Sequence, residues 1–437
     1  MSAPLPEVGD PPPRARERSL TYVDADRSLA LRTDYESRET LLERPAQLTV
    51  EEIGILELWQ TTEGHPHRIP VGESVEGYGV FTFPYGPVTM GVPESGAFDL
   101  RTYGERVLEI VPEVGYKHRG VAAALVGRSV PDALLRVERF AGNFSASHGA
   151  AFLRAVEIAE GIGVPESELW TRALAQELQR VYNHLHLIAR VAEAASQNVG
   201  VAQAHALAEE SLRLTARTFG HRWAFGALAS ENPLRRLGPD DRRALGSRLR
   251  ELDREFASLW ELFLSSRTFI DRIQSTATVS RADALRWGAV GPTLRASGVA
   301  WDDRLRAPTP PYTDLFVPLA QEGSGDALAR VLVRQEEVRS SLLLLDQILD
   351  RWSSMRGGES APPAPVEPGR GIARLEAPSG DLVYDVRISD GRVRSVGVRT
   401  PSQANWPLFA LGMRGGVFTD FHFALESFGL VFADTDG

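Results

Sequence analysis

The sequence predicts an α+β protein in which a central bundle of long antiparallel helices carries small peripheral β-sheets. Three observations support this fold class: long segments with apolar residues spaced by three and four, short segments with alternating apolar residues, and an apolar content of 43% in 437 residues. The first pattern is typical of amphipathic helices and the second of strands. A chain of this size and composition can bury a large core.

The N-terminal part of the chain differs from the rest. Residues 1–75 are predicted to be a tail and a small appendage of unknown role, because the first residues are rich in proline and charge and only short mixed segments follow. Residues 76–437 are predicted to form one large domain. Short apolar runs from Tyr78 to Ile110, separated by glycine and proline, predict strands of a small sheet at its start.

Four long helices are predicted in the middle of the chain. The first follows Pro165 and has one apolar seam over about 30 residues, and the second begins near Ala202 and stops at Gly220. The third opens at Pro239 and the fourth begins near Asp326. A helix of about 30 residues extends about 45 Å. Long helices of this kind must pack side by side to bury their apolar seams.

The C-terminal part is predicted to begin with a linker. Residues 357–371 are rich in glycine and proline, which favours a loop. Residues 372–437 are predicted to be a β-hairpin and a tail, because alternating apolar residues flank the turn at Asp390-Gly391.

Composition excludes several classes of function. The formal net charge of −10 argues against nucleic acid and anionic membrane surfaces as direct partners. No apolar run approaches the roughly 18 residues that span a bilayer, and the N-terminus does not resemble a signal peptide, so a cytoplasmic chain without a membrane span is expected. The chain has no cysteine, so it forms no disulfide and supplies no thiolate to an iron–sulfur cluster.

Several short blocks occur in a fixed order along the chain. They are Tyr85-Gly86-Pro87-Val88, Gly115-Tyr116-Lys117-His118-Arg119-Gly120, Glu138-Arg139, Phe152-Leu153-Arg154-Ala155-Val156-Glu157, Glu177-Leu178, His184-Leu185, Leu294-Arg295-Ala296-Ser297-Gly298, Glu376-Ala377-Pro378 and Asn405-Trp406-Pro407. In this order they resemble the superfamily that joins nickel–iron hydrogenase large subunits with the 49-kDa quinone-site subunit of respiratory complex I. The resemblance runs from about Tyr78 to the C-terminus and is strongest to group 4 energy-converting hydrogenases of the formate hydrogenlyase type.

The resemblance locates the metal ligands of the hydrogenases on this chain. In that family two Cys-x-x-Cys pairs, one after Glu-Arg and one near the C-terminus, hold nickel and iron through four thiolates. The first pair falls on Ala141 and Phe144 and the second on Val431 and Asp434. Because soft, anionic sulfur is required to bridge such metals, we predict that this chain binds no nickel–iron centre and no other metal.

Other positions that the resemblance marks as functional also differ. The acidic residue that follows Arg-Gly in the hydrogenases is Ala122 in this chain, and the arginine of their Ala-Pro-Arg-Gly block is Ser379. In the loop Gly86 to Gly91, Thr89 stands where the hydrogenase branch has a histidine, and the His-Pro-x-x-His element of complex I is missing. The tyrosine that the resemblance implicates at the quinone headgroup in complex I corresponds to Gly142. A quinone stays open as a ligand, since it needs mainly an apolar pocket. The predicted cavity lining is Thr89, Ala141, Gly142, Phe144, Val431 and Asp434.

Five residues are candidates for catalysis. His118 and Arg119 would position a ligand or a proton path, or fix a domain contact. Glu138 and Arg139 are interpreted chiefly as a structural ion pair at a helix entrance, and His148, near the start of a helix from Ala150 to Ile158, would face the former metal cavity.

Three further polar residues are given structural interpretations. His184 and His186 lie two apart on a helix and therefore point to different faces. Asp434 is expected to lie in a solvated C-terminal tail rather than in a cation site.

The resemblance implies partners and a place in the cell. An iron–sulfur small subunit with 4Fe–4S clusters and membrane-embedded complex I- or hydrogenase-type subunits are expected, with this chain at the inner face of the cell membrane. Within such a complex the cavity would form part of a quinone-like acceptor site, or the chain would transmit conformational strain as a pseudo-enzyme. The alternative is a non-catalytic scaffold or assembly subunit that acts through protein interfaces.

Overall fold

A computed structural model describes residues 18–22, 30–34, 39–43, 68–71, 74–89, 91–228, 237–352, 359–360, 362, 364–365 and 367–435. The predicted N-terminal tail and much of the appendage that follows it lie outside these residues, as does part of the predicted linker. The described part combines helices with small antiparallel sheets and confirms the predicted fold class.

The helices vary widely in length and include four long ones. In chain order they are α1 (Val121–Leu125), α2 (Val130–Val137), α3 (Ser145–Glu160), α4 (Glu166–Ala194), α5 (Asn198–Phe219), α6 (Pro239–Ser265), α7 (Arg267–Ile273), α8 (Arg281–Arg286), α9 (Gly291–Ala296), α10 (Asp303–Arg306), α11 (Ala327–Arg351), α12 (Pro401–Gly412) and α13 (Phe421–Phe428). The long members α4, α5, α6 and α11 pack together as the bundle. All four long helices predicted from the sequence are therefore confirmed.

The ends of the long helices follow from local chemistry. Proline occupies the first turn of α6, where a missing N–H costs nothing. The Asp326 side chain accepts a hydrogen bond from the Ala329 N–H at the start of α11. Helix α5 ends at Gly220, whose φ of 80° favours glycine. The apolar seam of α4, including Leu174, Leu178 and Leu185, is buried in the bundle.

The strands form small antiparallel sheets. They are β1 (Arg18–Tyr22), β2 (Ala30–Asp34), β3 (Glu39–Glu43), β4 (Phe81–Tyr85), β5 (Ala97–Tyr103), β6 (Arg106–Glu113), β7 (Val164–Pro165), β8 (Glu359–Ser360), β9 (Arg370–Ala377), β10 (Gly380–Ser389) and β11 (Arg392–Arg399). The orders are β1-β2-β3, β4-β5-β6, β9-β10-β11 and β7-β8. The predicted strands near residues 78–110 and the hairpin that turns at Asp390-Gly391 are confirmed.

Helix α3 packs directly on β9 and β10. A Cβ on Gly371 would lie 1.9 Å from the carbonyl oxygen of Ala155, so only glycine permits this approach of backbone to backbone. The contact fixes α3, which carries His148, against the sheet that carries Tyr384.

The prediction of a simple hairpin and tail at residues 372–437 was incomplete. A third strand, β9, joins the hairpin, and α12 and α13 follow it. Helix α12 opens with a capping box between Thr400 and Gln403. Both helices are largely buried. Helix α12 is apolar on most sides, so it lacks the one-sided periodicity by which a surface helix is recognised.

The β4–β6 sheet packs against the C-terminal helices. Phe98 contacts the rings of Trp406, Phe409 and Phe421, with centroid distances of 6.2, 6.1 and 4.9 Å. Ile69 and Val71 are buried in the same apolar cluster. Within the part of the chain that the structure describes, no helix has both the length and the apolar character that a membrane crossing requires.

Candidate functional site

The four positions that correspond to metal ligands lie on two segments, one just before α3 and one after α13. Ala141 and Phe144 precede α3 and are buried, whereas Val431 follows α13 and is half-buried. Asp434 is fully buried, so the expectation of a solvated tail was wrong. The Thr400 hydroxyl donates to the Asp434 carbonyl at 2.7 Å, and this bond helps to hold the C-terminal segment against the protein.

A hydrogen-bonded chain of three buried side chains connects these segments. His148 Nε2 lies 3.1 Å from Asp434 Oδ1, and His148 Nδ1 lies 2.8 Å from the Tyr384 hydroxyl. An ionised carboxylate only accepts hydrogen bonds, so Nε2 carries the proton and Nδ1 accepts from Tyr384 when the imidazole is neutral. Burial raises the pKa of Tyr384 well above its ordinary value, and the charge of Asp434 adds to this effect.

His148 contacts Asp434, one of the four positions that correspond to metal ligands. Its ring stacks on Phe140 with centroids 4.9 Å apart and an interplanar angle of 18°. The imidazole therefore packs against the first segment and bonds to the second. In this chain His148 makes a connection between the two segments that a shared metal ion would make in the hydrogenases.

Arg119 makes a second connection between the same segments. Its guanidinium donates to the carbonyl oxygens of Arg139 at 3.2 Å, of Phe140, and of Ala433 at 3.5 Å. These bonds fit the structural interpretation, in which Arg119 fixes a contact. The neighbouring His118 is exposed, and its N–H donates to the Gly115 carbonyl at 3.1 Å.

Glu138 is a buried carboxyl with incomplete hydrogen bonding. Its Oε2 accepts from the Gly226 N–H at 2.8 Å, whereas Oε1 has no hydrogen-bond partner among the described residues. Arg139 lies 3.9 Å away and places its guanidinium over the Phe225 ring. Burial raises the pKa of Glu138 to about 7, against the opposing effects of Gly226 and Arg139. The predicted ion pair is present, and its carboxyl can exchange a proton near neutral pH.

Two positions of the predicted cavity lining, Thr89 and Gly142, have an unused polar group or open space. The Thr89 hydroxyl is buried and has no hydrogen-bond partner in the described structure. Gly142 is exposed, and a Cβ built on it would have no heavy atom within 4 Å. An unsatisfied hydroxyl and open space are features that a bound ligand can use.

The bundle interior contains an ionic network that the sequence did not reveal. Glu337 accepts from Arg295 Nη2 at 2.6 Å and pairs with His184 Nε2 at 2.8 Å. Burial alone would raise the pKa of Glu337, but Arg295 and His184 hold it well below its ordinary value. His186 lies on another face of α4 and stacks on Tyr182 at 5.7 Å, which confirms that the two histidines diverge.

A second centre of the network is Glu177. It accepts from Arg304 at 3.0 Å and from the hydroxyls of Tyr312 and Ser341, each at 2.7 Å. Its pKa is lowered because these charges and hydrogen bonds, with Arg180, outweigh the effect of burial. The sequence signal was the recurrence of Glu177, Arg180 and His184 along α4, but their partners lie far away in the chain.

The network also reaches the C-terminal segment. Arg334 lies 3.2 Å from His184 Nδ1 and donates to the Phe428 carbonyl at 2.9 Å. Ser379 donates to the carbonyl of Gly429, the residue that follows Phe428, at 3.2 Å. The bundle interior is thus joined by hydrogen bonds to the segment that carries Val431 and Asp434. Among the described residues, no three histidine or acidic side chains are grouped to hold a metal ion.

Sequence comparison matches this chain to known proteins. Residues 235–362 match the family model described as respiratory-chain NADH dehydrogenase, 49 Kd subunit. The carbon monoxide-induced hydrogenase of Rhodospirillum rubrum is 27% identical over 354 residues, which cover 79% of this chain and 96% of that protein. The membrane-bound hydrogenase subunit alpha of Pyrococcus furiosus is 28% identical over 369 residues, which cover 81% of this chain and 86% of that protein.

Structure comparison gives the same class of relative. A chain of the membrane-bound sulfane sulfur reductase, an archaeal respiratory membrane complex, superposes with a TM-score of 0.74 and 26% identity. The superposition covers 82% of this chain and 98% of that one. The similarity therefore extends over most of this chain and nearly all of that one.

Proposed function

We propose that this chain, which belongs to the superfamily of nickel–iron hydrogenase large subunits and complex I 49-kDa subunits, is the large subunit of a membrane-associated oxidoreductase that works without a nickel–iron centre. The observation that carries the proposal is the chemistry of the four ligand positions. Ala141, Phe144 and Val431 offer no side-chain ligand atom, and Asp434 already accepts from His148. These residues do not fit a centre that requires four thiolates.

Electron transfer would then depend on partners. An iron–sulfur small subunit would supply 4Fe–4S clusters, and membrane-embedded subunits would couple the reaction to ion translocation. The names of the relatives support this assignment, since they include a membrane-bound hydrogenase and a respiratory membrane complex. The chain itself would lie at the cytoplasmic face, peripheral to the membrane.

The electron acceptor would bind on the open side of the cavity. The unsatisfied Thr89 hydroxyl and the space beside Gly142 support this location. A quinone headgroup would offer a carbonyl oxygen to such a hydroxyl. The sulfane sulfur reductase among the relatives supports a second acceptor chemistry in this fold, with sulfane sulfur in place of quinone.

A second role, that of a scaffold, is favoured by the hydrogen bonds that join the segment of Ala141 and Phe144 to the segment of Val431 and Asp434. His148 and Arg119 join the two segments through direct hydrogen bonds. A chain closed in this way would serve as a pseudo-hydrogenase scaffold, which transmits conformational strain or acts in assembly through protein interfaces.

Purification of the tagged chain from membranes in mild detergent tests the main proposal. We expect an iron–sulfur small subunit and membrane-embedded subunits to copurify, with iron but without stoichiometric nickel by elemental analysis. Recovery of the chain alone, with no such partner, would favour the scaffold role. Stoichiometric nickel would contradict the argument from the ligand positions.

Enzyme kinetics on the purified complex separate the two roles. With a short-chain quinone as acceptor, Thr89→Val is expected to raise KM, because the valine cannot donate a hydrogen bond. Thr82→Val, at an exposed position on β4, is the matched control. Unchanged kinetics in Thr89→Val would argue against an acceptor site at this residue.

A further inference from the structure

A cavity on the side of the bundle is separate from the residues of the proposed acceptor site. It lies between α3, α4, the segment after α10 and β9, and has a volume of about 50 Å³. One water needs about 10–15 Å³ of such a cavity. The cavity therefore has room for several waters or for one small polyatomic ion. The exposed Ala307 and half-buried Thr309 form its rim.

Four arginine side chains line this cavity. Three of them are paired: Arg172 with Glu157 at 2.6 Å, Arg304 with Asp302 and Glu177, and Arg374 with Asp303 and Asp381. The fourth, Arg154, is half-buried and has no hydrogen-bond or ion-pair partner among the described residues. Burial lowers the pKa of Arg154, and the neighbouring Arg172 adds to this effect against Glu157. A partly desolvated guanidinium without a partner among the described residues can bind an anion.

The acidic residues of the lining do not cancel this charge. Asp303 and Glu376 are fully buried, and burial raises the pKa of each to about 7, against the opposing effects of Arg374 on Asp303 and of Arg295 on Glu376. Both carboxyls therefore carry less negative charge at neutral pH than ordinary acids. Asp303 Oδ2 also has no hydrogen-bond partner in the described structure, although Arg374 lies 2.9 Å away.

We propose that this cavity binds a small oxoanion, a phosphate or a short carboxylate, through the guanidinium of Arg154. A planar guanidinium binds such oxygens through two parallel hydrogen bonds. Arg172, Arg374 and Tyr312 line the same cavity. A volume of about 50 Å³ suits a ligand of about the size of phosphate or acetate.

Calorimetric titration of the purified full chain tests this site. Sodium phosphate and sodium acetate are titrated separately in a chloride-containing zwitterionic buffer. We expect saturable binding of at least one of them, and the tighter of the two identifies the ligand as a phosphate or a carboxylate. Arg154→Gln is expected to weaken binding about tenfold or more, and Arg154→Lys to weaken it less because the charge remains.

The matched control is Arg128→Gln, which removes an exposed arginine paired with Asp132 at 3.6 Å. It is expected to bind as the unmodified chain does. Ala307→Leu narrows the exposed rim without touching the core, and loss of affinity in this variant supports the site even if Arg154→Gln fails to fold. Absence of binding in the unmodified chain, or affinity retained in both Arg154→Gln and Ala307→Leu, would overturn the proposal.

Discussion

The bundle interior and the region around Ala141, Phe144, Val431 and Asp434 differ in how many hydrogen bonds their buried charged groups make. In the bundle, Glu177 accepts hydrogen bonds from Arg304 and from two hydroxyls, and Glu337 accepts them from Arg295 and pairs with His184. At the end of the bundle, Asp434 relies chiefly on His148, and Glu138 has one oxygen without a hydrogen-bond partner among the described residues. Fully paired ions fix a frame, whereas a partly paired carboxyl such as Glu138, whose pKa burial raises to about 7, can change protonation. The difference separates the part that maintains the fold from the part where chemistry can vary.

The largest expected effect comes from breaking the ionic frame. Glu337→Gln removes the negative charge that Arg295 and His184 contact, while the shape of the side chain is kept. Breaking a buried ion pair typically costs about 3–5 kcal/mol, since the remaining charge stays buried and uncompensated. Unfolding in urea should show a loss of this size in the free energy of unfolding.

The control for this variant is an ion pair at the surface. Asp346 lies 3.2 Å from Arg250, and both side chains are at least half exposed. Asp346→Asn is expected to cost less than about 1 kcal/mol. Similar losses in the two variants would mean that the buried network contributes no more than a surface pair does.

The next largest effect is a dependence of stability on pH that originates at Glu138. Its pKa is about 7 in the folded protein against an ordinary value of 4.5. Between these values the folded state holds a proton that the unfolded state has lost. The stability that this group contributes is therefore complete below pH 4.5 and disappears as pH rises through 7. The difference corresponds to about 3 kcal/mol at 1.36 kcal/mol per unit.

Glu138→Gln isolates this contribution. The amide oxygen still accepts from the Gly226 N–H, but the side chain no longer titrates. The free energy of unfolding at pH 5 minus that at pH 8 should therefore be smaller in the variant than in the unmodified chain. Glu160→Gln, at an exposed position, should match the unmodified chain. An identical pH dependence in Glu138→Gln would show that this carboxyl does not hold a proton in the folded state.

The sequence predicted the long helices of the bundle better than the ionic network buried between them. Apolar spacing located all four long helices because each buries one continuous seam. The network escaped prediction because its partners are distant, as with Glu177 and Arg304, which are 127 residues apart. A charged residue on a helix indicates a solvated face until the packing of the other helices is known.

The candidate site was predicted in part. The proximity of His148 to the former ligand positions followed from its place at the start of a helix just after Phe144. Asp434 was misjudged because a position near the chain end suggests exposure. Its burial depends on Thr400 and Ser402, which α12 brings to the same place, and that helix was not predicted.

A smaller effect is expected from coupling between His148 and Asp434. His148→Leu and Asp434→Ala each leave a buried partner without its hydrogen bond, so the double variant should lose less than the sum. The coupling energy is expected to be about 1–3 kcal/mol in a double-mutant cycle of unfolding free energies. His148→Leu combined with Asp346→Ala, which shares no partner with it, should be additive within about 0.5 kcal/mol. Additivity in both cycles would mean that His148 does not connect the two segments.

The smallest effect is expected from Tyr384→Phe. The ring can keep its edge contacts with Phe152 and His148, at 6.2 and 5.9 Å, while the bond to His148 Nδ1 is lost. The free energy of unfolding, measured in urea, should fall by about 1 kcal/mol. Tyr116→Phe, at an exposed hydroxyl 3.5 Å from Glu113, should cost almost nothing. Equal costs would place Tyr384 outside the hydrogen-bonded chain, and His148 would then depend on Asp434 alone, with its tautomer no longer fixed from both sides.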